Sequence, residues 1–243
     1  MKRNLLLLGF ALLSYMASAQ FYLGGSFTEN STWLLNKAVF DRGDDQDIAA
    51  SFGNNYGIVA GMQFSDNLGI EVNFLFNTHT QNYTGKDWPY NGCDYTSKST
   101  YHSIDIPVLL KTGEKAYFEI GPQFSLIQSA TYEIDYSDNR LLSDKKEDNK
   151  DDYASTIFGL AMGFGGNIDL TDNLKLTLGL RLYYGLTDIG GVNAWGWNKE
   201  ETTKNDENYN LLDPDDDNHY GHKDFKTNPA AGGIKIGLIY VID

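Results

Sequence analysis

The chain lacks most of the features that stabilise small secreted proteins or mark soluble nucleic-acid binders. It has a single cysteine, Cys93, in 243 residues, which excludes a disulfide framework within one chain. Basic residues number 19 against 33 acidic residues, and the net charge of −14 argues against nucleic acid as a partner. Past the first 13 residues, no segment is continuously apolar over the ~20 residues that a membrane-spanning helix needs.

The amino terminus carries an export signal. Lys2 and Arg3 precede an apolar run over residues 5–13, and small residues at 17–19 form a cleavage pattern of the A-x-A kind. A retained anchor is the alternative, but the run is shorter than a spanning helix. We therefore predict a signal peptide at 1–19 and a single domain at 20–243.

Strict alternation is the strongest pattern in the chain. Between positions 174 and 186, Leu or Tyr occupies every even position, whereas Lys, Thr, Gly, Arg and Tyr occupy the odd ones. Soluble strands typically have about 5–6 residues, whereas a tilted strand that spans a membrane has ~9–11. The 25 glycines and 16 tyrosines are typical of many strands with aromatic girdles.

Similar alternation predicts eight strands, joined by connections that are alternately short and long. The strands are predicted at 21–27, 56–64, 68–76, 101–110, 117–127, 156–168, 174–186 and 232–242, with long loops at 28–55, 77–100, 128–155 and 187–231. Short periplasmic turns and long outer loops are typical of outer-membrane barrels. The predicted fold class is all-β, an eight-stranded antiparallel up-and-down transmembrane barrel with long extracellular loops. A soluble periplasmic β-sandwich is the rival fold.

The predicted loops also carry most of the charge. Over 27–54, 78–99, 128–152 and 187–228 they contain 25 of the 33 acidic and 12 of the 19 basic residues. Strands that are nearly neutral and loops that are acidic suit a barrel with its loops in water.

If the apolar sides face lipid, a set of charged residues points into the barrel. They are Glu71, Asp105, Glu119, Lys175, Arg181 and Lys235. Buried charges need partners, so we predict a structural salt-bridge network, with a gated ion path as the alternative. The interior of an eight-stranded barrel is just wide enough for side chains to fill, so a pore is not expected.

The sequence offers little catalytic chemistry. His102 and Ser103 are adjacent and would face opposite sides of a strand, so they do not form a nucleophile–base pair. We assign no catalytic residue and expect no enzyme; a lipid-modifying hydrolase is the least favoured alternative.

One acidic segment has the spacing of a calcium loop. Asp213, Asp215, Asp217 and Asp224 occupy its positions 1, 3, 5 and 12, where carboxylates converge on Ca²⁺. Pro214 at position 2, Asn218 in place of glycine and Asp224 in place of glutamate depart from the pattern. A solvated acidic loop is the alternative, and His219 with His222 would favour Zn²⁺ only weakly.

Two tryptophans, Trp195 and Trp197, lie in the longest predicted loop. Two interpretations stay open, namely an aromatic belt at the outer interface and a surface that contacts a ligand.

Two segments carry a family resemblance. Residues 102–111, His-Ser-Ile-Asp-Ile-Pro-Val-Leu-Leu-Lys, and residues 183–189, Tyr-Tyr-Gly-Leu-Thr-Asp-Ile, resemble outer-membrane β-barrel proteins of the PorT-like kind, common in Bacteroidetes-type genomes. The resemblance implies the cell outer membrane and allows an accessory role in secretion or surface assembly. The final residue is Asp243, not the aromatic residue that the barrel assembly machinery reads in many such proteins.

The function that we predict is non-enzymatic, with a barrel that displays acidic loops in a structural or binding role. The alternatives are the accessory role and a narrow channel. Expected partners are outer-membrane lipid, the barrel assembly machinery and secretion-system or cell-surface proteins. We expect a monomer.

Overall fold

A computed structural model of the chain describes residues 19–36, 46–65, 67–87, 93–137, 145–189 and 226–242. Within these residues the chain forms ten strands and the 3₁₀ turn Lys150–Asp152. The strands are β1 (Gln20–Leu35), β2 (Asp47–Ala49), β3 (Phe52–Ser65), β4 (Leu68–Asp87), β5 (Cys93–Thr112), β6 (Ala116–Tyr136), β7 (Lys145–Asp148), β8 (Thr156–Asp169), β9 (Leu174–Gly185) and β10 (Asn228–Ile242).

Eight of these strands form a closed ring. Their order is β4–β3–β1–β10–β9–β8–β6–β5, and pairing of β4 with β5 completes the circle. Every pairing is antiparallel. The predicted fold class is confirmed, and each predicted strand lies on one ring strand, with Leu186 one residue past the end of β9.

The ring carries an apolar band on its outer surface. On β4, Val72, Phe74 and Phe76 are 40–49% exposed, whereas Asn73 and Leu75 between them are 1–2% exposed. The same alternation runs along β9 and β10. No helix in the described part of the chain is long and apolar enough to cross a membrane.

Three tight turns connect strands at one end of the ring, which we call the short-turn end. In the β5–β6 turn, Gly113 has a φ of +88°, a conformation that glycine adopts without steric cost. Its amide donates to the carbonyl oxygen of Asn67 in the neighbouring turn at 3.1 Å. The opposite end is the long-loop end.

At the long-loop end, three strands continue well beyond the apolar band. β4, β5 and β6 have 20, 20 and 21 residues, so the predicted loop at 77–100 is wrong over most of its length and the one at 128–155 is wrong over its first nine residues. The predicted loop at 28–55 is likewise shortened by β1 and β3. β2 pairs with β4 and β7 pairs with β6. We call this five-stranded projection, built on residues 77–87, 93–103 and 128–136, the upper sheet.

The hydrophobic pattern inverts between the band and the upper sheet. In the upper sheet the large apolar side chains lie on the buried side, where Tyr83, Tyr95, Tyr132 and Ile134 are 1–6% exposed beside buried polar residues such as Gln81 and Ser97. Its outer side is polar. On β6 the change coincides with a bulge, because His102 pairs with Ser129 but Ser103 pairs with Ile127, which leaves Gln128 as an extra residue.

Candidate functional site in the lumen and upper sheet

Five charged side chains from five strands meet in the lumen, and we call them the lumen charge cluster. They are Glu71, Lys111, Glu119, Arg181 and Lys235, all at most 5% exposed. Arg181 donates to Glu119 Oε1 from Nη2 at 2.6 Å and from Nε at 2.9 Å. Lys235 Nζ lies 3.2 Å from Glu71 and 3.4 Å from Glu119, and Lys111 Nζ lies 3.2 Å from Glu71.

Neutral groups complete the hydrogen bonding of this cluster. The Tyr22 hydroxyl and the Asn73 amide each donate to Glu71 at 3.0 Å. Lys111 Nζ also lies 4.1 Å from the centre of the Tyr117 ring. Buried ions are tolerated only when such partners replace their hydration, so the cluster has the chemistry of a structural core.

The six charges predicted to point inward separate into three groups. Glu71, Glu119, Arg181 and Lys235 lie together. Asp105 lies apart, where it accepts hydrogen bonds from Ser103 at 2.7 Å and Gln123 at 3.1 Å. Lys175 lies near the short-turn end, 3.3 Å from Glu114 and 3.6 Å from Asp169. Lys111 was not among the predicted residues. Its position two residues after inward Leu109 would have indicated that it also faces the lumen.

An apolar cluster fills the lumen between Asp105 and the long-loop end. It consists of Leu34, Tyr101, Ile127, Ala130, Tyr153, Ile157 and Ile189. Small neighbours make room for bulky groups below it, since a Cβ atom at Gly159 would overlap the Tyr183 ring and one at Gly61 would overlap Tyr22. Side chains therefore fill the lumen from the charge cluster to this apolar cap.

His79 lies beside the cap, beyond the last apolar band residue of β4. Its ring stacks on Tyr101 with centroids 4.7 Å apart and an interplanar angle of 11°. Burial lowers the pKa of His79 to about 4, while its contact with the carbonyl oxygen of Trp33 at 3.2 Å acts in the opposite direction. His79 is therefore a neutral packing residue at pH 7.

The outer face of the upper sheet is polar and internally bonded. Glu133 lies between Lys146 and Lys98, with Lys98 Nζ at 3.5 Å, and the hydrogen bond from Lys146 holds the pKa of Glu133 below its usual value. The hydroxyls of Thr80 and Thr100 lie 3.4 Å apart across β4 and β5.

The structure keeps His102 and Ser103 on opposite sides of β5. His102 is exposed and its Nδ1 lies 3.1 Å from the Thr78 hydroxyl, whereas Ser103 is buried and donates to Asp105. No group of three or more metal-ligating side chains occurs within the described ranges. Asp213, Asp215, Asp217, Asp224, Trp195 and Trp197 lie outside the described residues, and the calcium site stays a prediction.

A closed ring of antiparallel strands with an apolar outer band and a polar, filled interior defines the class of membrane β-barrels, since closure satisfies every edge in lipid. Residues 15–191 match the family described as "Outer membrane protein beta-barrel domain". The match covers more than half of the chain, and the chain belongs to this family of the outer membrane. No curated protein matches it.

Several solved outer-membrane proteins are similar to the chain over 92% of its length. Neisserial surface protein A is 15% identical, with 98% of that chain covered and a TM-score of 0.37. The outer membrane protein OprG from Pseudomonas aeruginosa is 12% identical, with 96% covered and a TM-score of 0.38. The outer membrane protease OmpT from Escherichia coli is 10% identical, with 96% covered and a TM-score of 0.36.

Proposed function

We propose that this outer-membrane barrel is non-enzymatic, closed to ions, and presents the upper sheet with its acidic loops for binding at the cell surface. The observation that carries the proposal is the upper sheet, which buries tyrosines on one side and shows a polar face on the other. Rigid scaffolds that position exposed loops are a common basis for recognition. In this proposal residues 1–19 are removed on export and the long-loop end faces outward.

The filled lumen favours this function over a narrow channel. Ions would have to pass the lumen charge cluster, whose members are at most 5% exposed, and then the apolar cap. Moving an ion through an apolar barrier without water is costly. A closed barrel leaves its outer surfaces to carry the function.

Two measurements on the full chain test the proposal. Reconstituted protein is expected to give no conductance steps in planar bilayers. On intact cells, a membrane-impermeant amine reagent is expected to modify Lys98 of the upper sheet but to reach Lys115 of a short turn only after the outer membrane is permeabilised. Stepwise conductance would contradict the closed lumen, and labelling of Lys115 but not Lys98 would reverse the orientation.

An accessory role in secretion or surface assembly is the second candidate. It is supported by the resemblance of residues 102–111 and 183–189 to PorT-like barrels, and it would make secretion-system proteins the partners of a monomeric barrel. Deletion of the gene is then expected to retain secreted proteins inside the cell, whereas unchanged secretion would oppose this role. A lipid-modifying hydrolase has no residue pair to support it among the described residues.

A further inference from the structure

We propose that the barrel wall opens laterally at β5 and admits an acyl chain of a membrane lipid. The starting point is a pair of mid-strand prolines at the depth of the apolar band, inward Pro107 on β5 and outward Pro122 on β6, whereas Pro229 is the second residue of β10 and lies at a strand end. Proline has no N–H to donate to a sheet and is normally confined to edge strands and bulges. A closed ring has no edge strand, so Pro107 and Pro122 occupy interior sheet positions where proline is normally excluded.

Both prolines coincide with interruptions of the hydrogen-bonded ladder. The paired residues of β4 and β5 go directly from Val72–Val108 to Leu75–Asp105. Those of β5 and β6 go directly from Pro107–Gln123 to Leu110–Ile120. The register is the same on either side of each gap, so neither is a bulge. β5 is therefore weakly held on both of its sides at one depth, over residues 106–109.

The opposite wall of the ring shows no such gap. β1 and β10 are paired continuously from Phe21–Ile242 to Leu35–Asn228. In lipid, no water replaces a missing backbone partner, so each missing ladder bond lowers the cost of separating the strands. The wall is expected to open at β5 before it opens elsewhere.

The outer side of the gaps is apolar, and the inner side carries two buried leucines among polar residues. Ile106 and Val108 of β5 lie on the outer side, in the lipid-facing band. On the inner side, Leu75 is 2% and Leu109 is 0% exposed. They differ from the other inward side chains of β4 and β5 at this depth, which include Glu71, Asn73, Asp105 and Lys111.

The surroundings of the gaps favour a hydrocarbon chain as the molecule that enters. The gaps face the hydrocarbon of the membrane, and Leu75 and Leu109 would contact a hydrocarbon chain without cost. A sugar or phosphate headgroup would instead lose its hydration there. In the structure Leu75 and Leu109 fill the space themselves, so entry requires β5 to move away from a neighbour and these side chains to rotate. The lipid bilayer supplies the ligand.

Cysteine labelling from the bilayer tests the opening. In a Cys93→Ser background, Leu109→Cys is compared with inward Ile239→Cys on β10 and with outward Leu110→Cys, all in phosphatidylcholine vesicles. The probe is a maleimide carried on a hexadecyl chain. Leu110→Cys is expected to react fast, and Leu109→Cys about tenfold faster than Ile239→Cys, because a few missing ladder bonds favour opening by roughly that factor.

A repaired wall provides the matched control. Adding Pro107→Val and Pro122→Val restores both N–H donors, so Leu109→Cys is expected to slow to the rate of Ile239→Cys while Leu110→Cys stays fast. Equal, slow labelling of the two inward cysteines in the proline-containing wall would overturn the proposal, as would fast labelling that survives the repair. If Leu109→Cys fails to fold, which gel mobility before and after heating reports, Leu75→Cys takes its place with the same outcomes.

Discussion

The lumen charge cluster combines three cations with two carboxylates, and each carboxylate serves more than one cation. Glu119 contacts both Arg181 and Lys235, and Glu71 contacts these two and Lys111. Loss of one carboxylate therefore leaves several buried charges with fewer partners. This makes the cluster more sensitive to removal of an acid than a surface ion pair would be.

The first prediction follows from this sharing. Glu119→Gln is expected to lower the free energy of unfolding by about 3–5 kcal/mol, because it breaks a buried ion pair and leaves the charge of Arg181 without its main partner. Urea unfolding in lipid vesicles measures the change. Lys175→Gln is the control, because Lys175 is 17% exposed beside Glu114 and should cost at most about 1 kcal/mol. Equal losses in the two variants would contradict a structural role for the cluster.

A second prediction concerns His79, whose pKa in the folded state is lowered to about 4. In the unfolded chain a histidine titrates near 6.5, so between these values the unfolded state binds the proton more strongly. Stability is expected to be complete above pH 6.5 and to fall by about 3 kcal/mol as the pH approaches 4.

The comparison variant for this prediction is His79→Gln, which has no titrating ring. Unfolding measured from pH 7 to pH 4 is expected to show a smaller loss of stability in the variant, since carboxylates titrate alike in both proteins. Parallel pH profiles would show that His79 is protonated in the folded state too.

At the level of elements, the ring strands were predictable and the upper sheet was not. In the band, apolar residues face outward, and that pattern marks the strands at 68–76 and 174–186. Beyond Phe76 the strand continues with mostly polar residues, and its large apolar side chain there, Tyr83, faces inward. A search for outward apolar residues stops where this pattern inverts. The residues of the upper sheet were therefore predicted to be loops.

The inversion also makes a prediction about the upper sheet. Tyr132 is 2% exposed in a cluster with Tyr95 and Ile134, and removal of a large buried aromatic side chain typically costs about 3–5 kcal/mol. Tyr132→Ala is expected to make the upper sheet sensitive to limited proteolysis, whereas Thr96→Ala on the outer face is not. Cleavage should spare the lipid-embedded ring. Equal resistance of both variants would show that the tyrosine layer does not hold the sheet.

The site residues were predictable only in part, for a related reason. Alternation along each strand decides which charges face inward, but it does not decide their height in the barrel. Glu71, Glu119, Arg181 and Lys235 meet because strand register brings them to one level, whereas Asp105 and Lys175 lie at other levels. Lys111 was not predicted to face the lumen because it follows the apolar segment at 106–110, which has the pattern of a lipid-facing strand.

For the molecule as a whole, closure of the ring predicts resistance to detergent. The pairing of β4 with β5 leaves no ring strand with a free edge, so unravelling of the whole ring is costly. Unboiled protein in sodium dodecyl sulfate is expected to migrate as a compact species and to shift on boiling. The same mobility before and after boiling would contradict the closed barrel in the membrane.

The pairing of β1 with β10 joins the first and the last ring strand in chain order. Phe21 lies opposite Ile242, so this strand pair joins segments that leave the ribosome about two hundred residues apart. Contacts between such distant positions form slowly, and until then β1 presents an uncovered edge that any other extended chain could occupy. The nascent barrel is therefore expected to depend on a chaperone that shields its first strand until the last one arrives.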